Sequence, residues 1–388
     1  MSRYTAAIVG CGSIGSAHME GYNLADDVEV VAVCDPSMPA RKIYMEEYGV
    51  DREFETVEEM MEKARPDIVS ICTWHLLHPA LTIAAAEGGA RAVICEKPMA
   101  IGMAGADSMV EGCAAHGTKL IVSHQRRFTP GWEKAKLLIE EGIIGTPLFV
   151  TNKVADGLTN WGTHSIDGSR FVLGDPAAEW VMGAVERRTD RYERDTLVED
   201  ACMGLVHFAG GIQLFIQSDL MREGATAGSF DIRGSEGFLC VSETRVELMN
   251  AASNGWQDID LGLSENDKAI GGNTNAAQVR ELIAWLEGRT AMHRNAGTIA
   301  RDTVEVMMAL YESARKNHVI RMPLEEKSYP LERMVAEGGL PVEIEGRYDI
   351  RGFLKRDNID EEKYKKLWDE GMRHHQIMRQ LGEEKERG

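Results

Sequence analysis

Gly10-Cys11-Gly12-Ser13-Ile14-Gly15 constrains this chain more than any other feature, because of what flanks it. The apolar run Tyr4 to Val9 precedes it and a helical pattern begins at Ile14. The run shows no polar alternation, as a strand buried on both faces requires. Gly10 permits a tight turn, Gly12 lets a pyrophosphate approach the backbone, and Gly15 lets the helix pack closely on the strand. N–H groups at the helix start, around Ser13 and Ile14, then face phosphate with the helix dipole behind them. A second apolar run, Val28 to Cys34, ends in Asp35, whose carboxylate can accept hydrogen bonds from adenosine ribose hydroxyls. It also repels a 2′-phosphate, so NAD is favoured over NADP. Arg41, six residues on, can offset that repulsion.

Ile94-Cys95-Glu96-Lys97-Pro98 reads as another strand end carrying an ionisable pair fixed by a proline. The carboxyl edge of a parallel sheet is where open α/β sheets bind ligands. Strands and helices alternate through about residue 125, which predicts right-handed crossovers and a doubly wound parallel sheet. Thr56-Val57-Glu58-Glu59 has the spacing of a capping box. Beyond Pro147 strands follow one another with few helices: 148–154, 180–186, 201–208, 212–218, 229–233 and 238–242. A largely antiparallel sheet with one face open to a partner subunit follows from that pattern. Helical patterns return at 276–286 and 298–316. The expected fold is α/β, with a dinucleotide-binding domain over 1–125, a substrate-binding and oligomerisation domain with a large open sheet over 126–330, and a charged extension over 331–388.

The formal charge of −19, from 43 basic and 62 acidic residues, argues against nucleic acid or an anionic membrane as partner. The seven cysteines are scattered and none forms a metal-ligand spacing, so we expect reduced thiols in a cytoplasmic protein. His75, His78 and His124 likewise give no metal spacing, and no metal site is expected. With the first strand starting by Tyr4 we expect no signal peptide, and no apolar run is long enough to span a bilayer.

From residue 4 to about 325 the chain resembles the Gfo/Idh/MocA oxidoreductases, the family of glucose–fructose oxidoreductase and inositol dehydrogenase. The resemblance rests on the glycine motif, Thr73 through His78, Glu96-Lys97-Pro98, Gln125-Arg126-Arg127-Phe128 and Gly162-Thr163-His164-Ser165-Ile166-Asp167. It implies an N-terminal Rossmann domain, a C-terminal domain on a large open sheet, and hydride transfer between NAD(P) and sugars, inositols or related polyols. A homodimer or homotetramer packed through that sheet is also implied.

Carried onto this sequence, the resemblance sets Lys97 beside the nicotinamide and the reacting carbinol, where an ammonium can stabilise a developing alkoxide and join a proton relay. Glu96 falls near the nicotinamide ribose, as a pairing or orienting group. His164 matches the histidine that takes the hydroxyl proton. Asp167, at i+3 on the same helical face, can bond that histidine or the substrate, or act as a solvated or capping carboxylate. Where the family often has an aspartate, four residues before the histidine, this chain has Asn160. An amide cannot stabilise imidazolium by charge, so the acid comes from Asp167 or Asp156, or Lys97 carries more of the proton transfer. Thr73, Trp74, His78, Gln125 and Arg126 are expected near the cofactor, and Trp161, Thr163 and Asn160 near the substrate. Trp74 and Trp161 can stack on the nicotinamide or a sugar face, or fill core. A plain salt bridge is the competing role for Arg126.

Residues 340–353 read as extended, and a charged helix is expected after Asp360 with Tyr364, Leu367, Trp368 and Met372 on one stripe. That stripe can dock on its own subunit or embrace a neighbour. Two function classes follow: an NAD-dependent dehydrogenase acting on a secondary alcohol of a sugar, glycoside or cyclitol, and a non-catalytic, dinucleotide-sensing regulatory protein of the same fold.

Overall fold

The computed structural model describes residues 4–221, 223–263, 270–349, 360–372, 377 and 380–381. Its first layer is a parallel sheet of β1 (Tyr4–Val9), β2 (Val28–Cys34), β3 (Glu53–Phe54), β4 (Ile68–Ile71), β5 (Ala92–Cys95) and β6 (Lys119–Val122). Between these strands run α1 (Ser13–Asn23), α2 (Met38–Tyr48), α3 (Val57–Lys63), α4 (His78–Glu87) and α5 (Met103–Ala115). The strand order is β3-β2-β1-β4-β5-β6, so the winding reverses between β1 and β4, and the crevice beyond their carboxyl ends is a ligand position. Local chemistry sets the helix starts. Ser37 Oγ accepts from the Ala40 N–H ahead of α2, and Thr56 Oγ1 accepts from the Glu59 N–H ahead of α3.

The second layer is a nine-stranded sheet. After α6 (Pro130–Glu140), β7 (Pro147–Val154) and α7 (Thr163–Val172) come β8 (Ala178–Glu186), the hairpin β9 (Thr189–Glu193) and β10 (Thr196–Leu197), and β11 (Ala201–Phe208). These are followed by β12 (Gln213–Ser218), β13 (Phe230–Gly234), β14 (Gly237–Val241), β15 (Val246–Asn250) and β16 (Gln257–Asp258). Then come α8 (Gly272–Leu286), α9 (Gly297–Lys316), β17 (Ile320–Arg321), α10 (Pro330–Ala336), β18 (Ile344–Asp349) and α11 (Glu361–Asp369). The large sheet runs β16-β15-β14-β13-β7-β12-β11-β8-β17, with β7 and β12 its one parallel pair. Val150, Val181, Val206, Leu214 and Ile216 are buried in one core with Met307, Met308 and Leu310 of α9, which packs on β8.

Three features depart from the periodicity reading. The amphipathic α6 lies before Pro147 in a stretch for which no element was expected, although Pro130 at its first turn is a helix-start signal. α8 packs Val279, Leu282 and Ile283 against Met19 and Tyr22 of α1, so the chain crosses back to the first layer. In the extension, β18 lies parallel to β9 in a small third sheet, while 350–353 of the run expected to be extended lie outside the described residues. The stripe on α11 docks on its own subunit: Tyr364 and Leu367 are buried together with Ile377 and pack on Ile43 of α2.

Candidate active site

The glycine turn meets all three of its steric demands. Gly10 has φ +97°, and a Cβ there would lie 2.6 Å from the Cys72 carbonyl oxygen. A Cβ on Gly15 would lie 2.5 Å from the Gly10 carbonyl oxygen, which is the close helix–strand approach. A Cβ on Gly12 would meet nothing within 4 Å; the residue borders the cavity, where a pyrophosphate needs bare backbone. Asp35 closes the turn: Oδ2 accepts from the Cys11 N–H at 2.9 Å and Oδ1 from the Ser37 N–H at 2.8 Å. Each oxygen keeps further lone-pair capacity for a ribose hydroxyl. The Tyr44 hydroxyl donates to the Gly12 carbonyl. Arg41 does not face outward to a 2′-phosphate. Its Nε donates to Glu53 Oε2 at 2.7 Å and its Nη1 to the Asp35 carbonyl at 2.5 Å, so the offset to the repulsion by Asp35 is spent inside the protein.

A cavity of about 180 Å³ joins this turn to the ends of β4 and β5, lined by Gly12, Ser13, Ile14, Cys72, Thr73, Trp74, Glu96, Lys97 and Arg194. Glu96 is buried. Its Oε1 lies 2.9 Å from His18 Nε2, and His18 Nδ1 lies 3.1 Å from Ser70 Oγ. Burial alone would raise the Glu96 carboxyl, but the His18 hydrogen bond and the charges of His18 and Lys97 hold it below the usual value, so it stays ionised. Lys97 reaches from this strand end to the second layer, its Nζ 3.4 Å from Asn160 Oδ1. Burial, and then the Arg194 charge, bring the ammonium down to about 8, against the opposing pull of Glu96. His78 is placed differently from expectation. Its Nδ1 lies 2.9 Å from the Pro98 carbonyl and its Nε2 3.2 Å from that of Thr73. Burial lowers its pKa, so the neutral ring has one N–H and donates to one of these carbonyls, and both ring nitrogens lie against backbone rather than a cofactor.

The opposite wall comes from one turn of π-helix, Leu158–Gly162, running straight into α7. Glu199 and Asp219, neither anticipated from sequence, anchor its start. Glu199 Oε1 accepts from the Leu158 N–H at 2.6 Å, while Asp219 accepts from the Asp156 and Gly157 N–H groups. On this segment Thr159 Oγ1, Asn160 Nδ2 and His164 Nδ1 are buried and have no hydrogen-bond partner among the described residues. Burial, with Lys97, Arg126 and His124 nearby, holds His164 well below the ordinary histidine value, leaving a neutral imidazole able to take a proton.

Residues 4–124 match the profile described as the oxidoreductase family with an NAD-binding Rossmann fold, and residues 155–240 match the GFO/IDH/MocA C-terminal domain. The chain belongs to the GFO/IDH/MocA oxidoreductases. It is 27% identical over 266 residues to a D-apiose dehydrogenase of Paraburkholderia graminis, covering 64% of this chain and 71% of that one. It is 27% identical over 243 residues to a D-glucoside 3-dehydrogenase of Escherichia coli, covering 55% and 69%. Among solved structures, a levoglucosan dehydrogenase in complex with NADH and levoglucosan has the same fold, with a TM-score of 0.72 at 21% identity, covering 83% of this chain and 100% of that one.

Within this GFO/IDH/MocA site the expected acid is not where the substitution at Asn160 required it. Asp167 does not reach His164. It is clamped by Arg127, Nε to Oδ2 at 2.7 Å and Nη2 to Oδ1 at 2.8 Å, and it lies 3.4 Å from His124 Nδ1. The Asp156 carboxylate lies 4.0 Å from Arg191. His124 fills the place beside the histidine instead, its ring 5.9 Å from that of His164 and edge-on, with Nε2 3.2 Å from Thr163 Oγ1. Arg126 pairs with Glu243 in the turn after β14, with Nε buried and unpartnered among the described residues, while Gln125 is buried with Oε1 unpartnered. Trp74 lines the cavity, and Trp161 is half-buried. His18, His124 and Arg194 carry no local sequence signal of a site, because their positions arise from the crossing of α1, the end of β6 and the β9–β10 turn. Arg127 stood inside a family motif, yet nothing in the motif indicated a clamp on Asp167.

Proposed function

We propose that this oxidoreductase interconverts a secondary alcohol and a ketone on a sugar, glycoside or cyclitol, with NAD as hydride carrier and Lys97 and His164 handling the proton. The supporting observation is the set of buried, unpartnered polar atoms on Thr159, Asn160 and His164, one helical segment that touches Lys97 through Asn160. Buried polar groups without partners cost stability unless a ligand completes them, and a polyhydroxylated ligand offers donors and acceptors at that spacing. Bound at the glycine turn, NAD supplies the hydride acceptor. His164 takes the hydroxyl proton on a ring nitrogen. The Lys97 ammonium steadies the oxygen as negative charge develops, and Asn160 fixes that ammonium from the far side. With no carboxylate on His164, its imidazolium lacks a charged support, and the nearby Lys97 and Arg126 charges oppose its formation. Lys97 therefore carries more of the transition-state stabilisation than in an Asp-supported site.

The relatives' names, dehydrogenases and reductases, favour turnover over a dinucleotide sensor. NAD reduction across a panel of free sugars, glycosides and cyclitols, followed by nicotinamide absorbance, tests the reading. No reduction with any of them, in a protein that binds NADH, would return it to the sensor.

Assembly belongs to the same proposal. The outer face of the large sheet presents Met182, Leu205 and Phe215 in one register row, flanked by Trp180 and Met203. Met182 is 50% and Met203 44% exposed, an apolar patch of the kind monomers rarely leave in water. We assign it to a homo-oligomer contact in a cytoplasmic protein. Replacing Leu205 with Glu should dissociate the assembly in sedimentation, and an unmodified protein that runs as a monomer at micromolar concentration removes the assignment. Among the described residues no helix is long and apolar enough to cross a membrane.

A further inference from the structure

Arg194 is a second-layer residue in a first-layer cavity. It occupies the first position of the two-residue turn between β9 and β10, whose register pairs Thr196 with Glu193 and Leu197 with Tyr192. Both turn residues have positive φ, 49° at Arg194 and 64° at Asp195, the geometry of a type I′ turn. Asn and Gly suit that geometry, and an arginine there departs from what the turn alone prefers. The side chain crosses to the Rossmann edge and lines the cavity together with Gly12, Ser13 and Ile14 of the glycine turn. Among its contacts, Nη1 lies 3.0 Å from Nε2 of buried His75, in the short turn after β4. Arginine has only donors, so His75 accepts through Nε2 and is neutral, in keeping with a pKa that burial and then the Arg194 charge push well below the ordinary value. Glu193 also lies near, its Oε1 3.8 Å from Nη1.

The charged side chains lining this cavity are Glu96, Lys97 and Arg194. Glu96 is engaged by His18, and Lys97 by Asn160 on the substrate side. The glycine turn itself carries no basic side chain, and the chain as a whole has a formal charge of −19. A dinucleotide brings a diphosphate to exactly the residues that Arg194 shares the cavity with, and a guanidinium fork matches phosphate oxygens two at a time. We propose that Arg194 is a cofactor-binding residue contributed by the second layer, its guanidinium closing over the diphosphate opposite Gly12–Ile14. Cofactor binding thereby ties the β9–β10 hairpin to the Rossmann edge through His75. This rests on the assignment of the cleft to NAD.

Arg194→Gly is the informative variant, because glycine suits the positive φ and the hairpin should hold. Its unfolding temperature without cofactor should equal or exceed that of the unmodified protein. The rise in that temperature on adding NADH should shrink, since a ligand that binds only the folded state stabilises it by RT ln(1 + L/Kd), where L is its free concentration. In equilibrium titrations NADH and ADP-ribose, which carry the diphosphate, should each bind on the order of tenfold or more weakly, while adenosine should be unaffected. Arg194→Lys should recover part of the loss. Unchanged NADH and ADP-ribose affinities in Arg194→Gly overturn the proposal. So does a loss confined to the KM of acidic sugars with cofactor affinity intact, which would assign the guanidinium to a substrate carboxylate. An unmodified protein that fails to bind NADH would overturn the cleft assignment, and this inference with it.

Discussion

The carboxylates of one wall of the cleft and the side-chain ends of the other are satisfied differently. On the Rossmann wall the carboxylates have protein partners: Asp35 holds the Cys11 and Ser37 N–H groups, and Glu96 lies against His18. On the helical wall Thr159 Oγ1, Asn160 Nδ2 and His164 Nδ1 are buried without partners among the described residues. The first wall is mostly backbone and carboxylates already held by protein, with Thr73 Oγ1 and Gln125 Oε1 at its strand ends buried without partners among the described residues. The second is made of side-chain ends and is completed by what binds there. Behind that wall, however, the framework is paired, through Arg127–Asp167 and Glu199. Specificity for the substrate should therefore reside in a few unpartnered atoms on a rigid support.

Removing the support should have the largest effect. Asp167→Asn leaves Arg127 buried with Asp175 as its one charged partner among the described residues, and breaking a buried pair from one side costs about 3 kcal/mol at the lower end of its range. Denaturant unfolding should register that loss. If stability is unchanged and only the pH profile of turnover moves, Asp167 serves His164 after all and the contrast between wall and framework fails.

Next come the proton-handling groups. Lys97→Ala and His164→Ala should each slow hydride transfer on the order of a hundredfold or more in single-turnover measurements. NADH affinity should fall less for His164→Ala, whose side chain belongs to the helical wall. Equal losses of cofactor affinity would erase the distinction between the walls.

The protonation of Lys97 sharpens the same point. With its pKa lowered to about 8, the side chain is an ammonium below that value and a neutral amine above it. If the charge stabilises the alkoxide, kcat/KM for alcohol oxidation falls as pH rises through about 8. Lys97→Arg, charged throughout, should remove that limb at a lower overall rate. A rise through the same interval would instead make Lys97 the base.

The smallest expected effect lies on the Rossmann wall. Asp35→Ala should narrow the preference for NAD over NADP by roughly tenfold, about the worth of one charge-assisted contact. Tighter binding of NADP by the unmodified protein would overturn the preference, for which Arg41 offers no remedy because it is held by Glu53.

What the sequence determined by itself was whatever depends on neighbours in the chain. The strand–turn–helix at Gly10 to Gly15, Asp35 at the end of β2, the cap at Thr56 and most strands of the large sheet are local patterns of period and backbone permission, readable without knowing the fold. The family motifs added Lys97 and His164, and the departure at Asn160 was visible as a missing charge. Only the tertiary structure decided which groups pair across long separations. Glu96 meets His18, Asp167 meets Arg127 rather than His164, His78 lies between two backbone carbonyls, and Arg194 enters the cleft from a hairpin in the following domain. A buried ionisable group takes whichever partner packing brings within hydrogen-bond reach, because burial makes isolation costly. That reach is set by how α1, α7 and the β9–β10 hairpin cross the sheet, which no local pattern encodes.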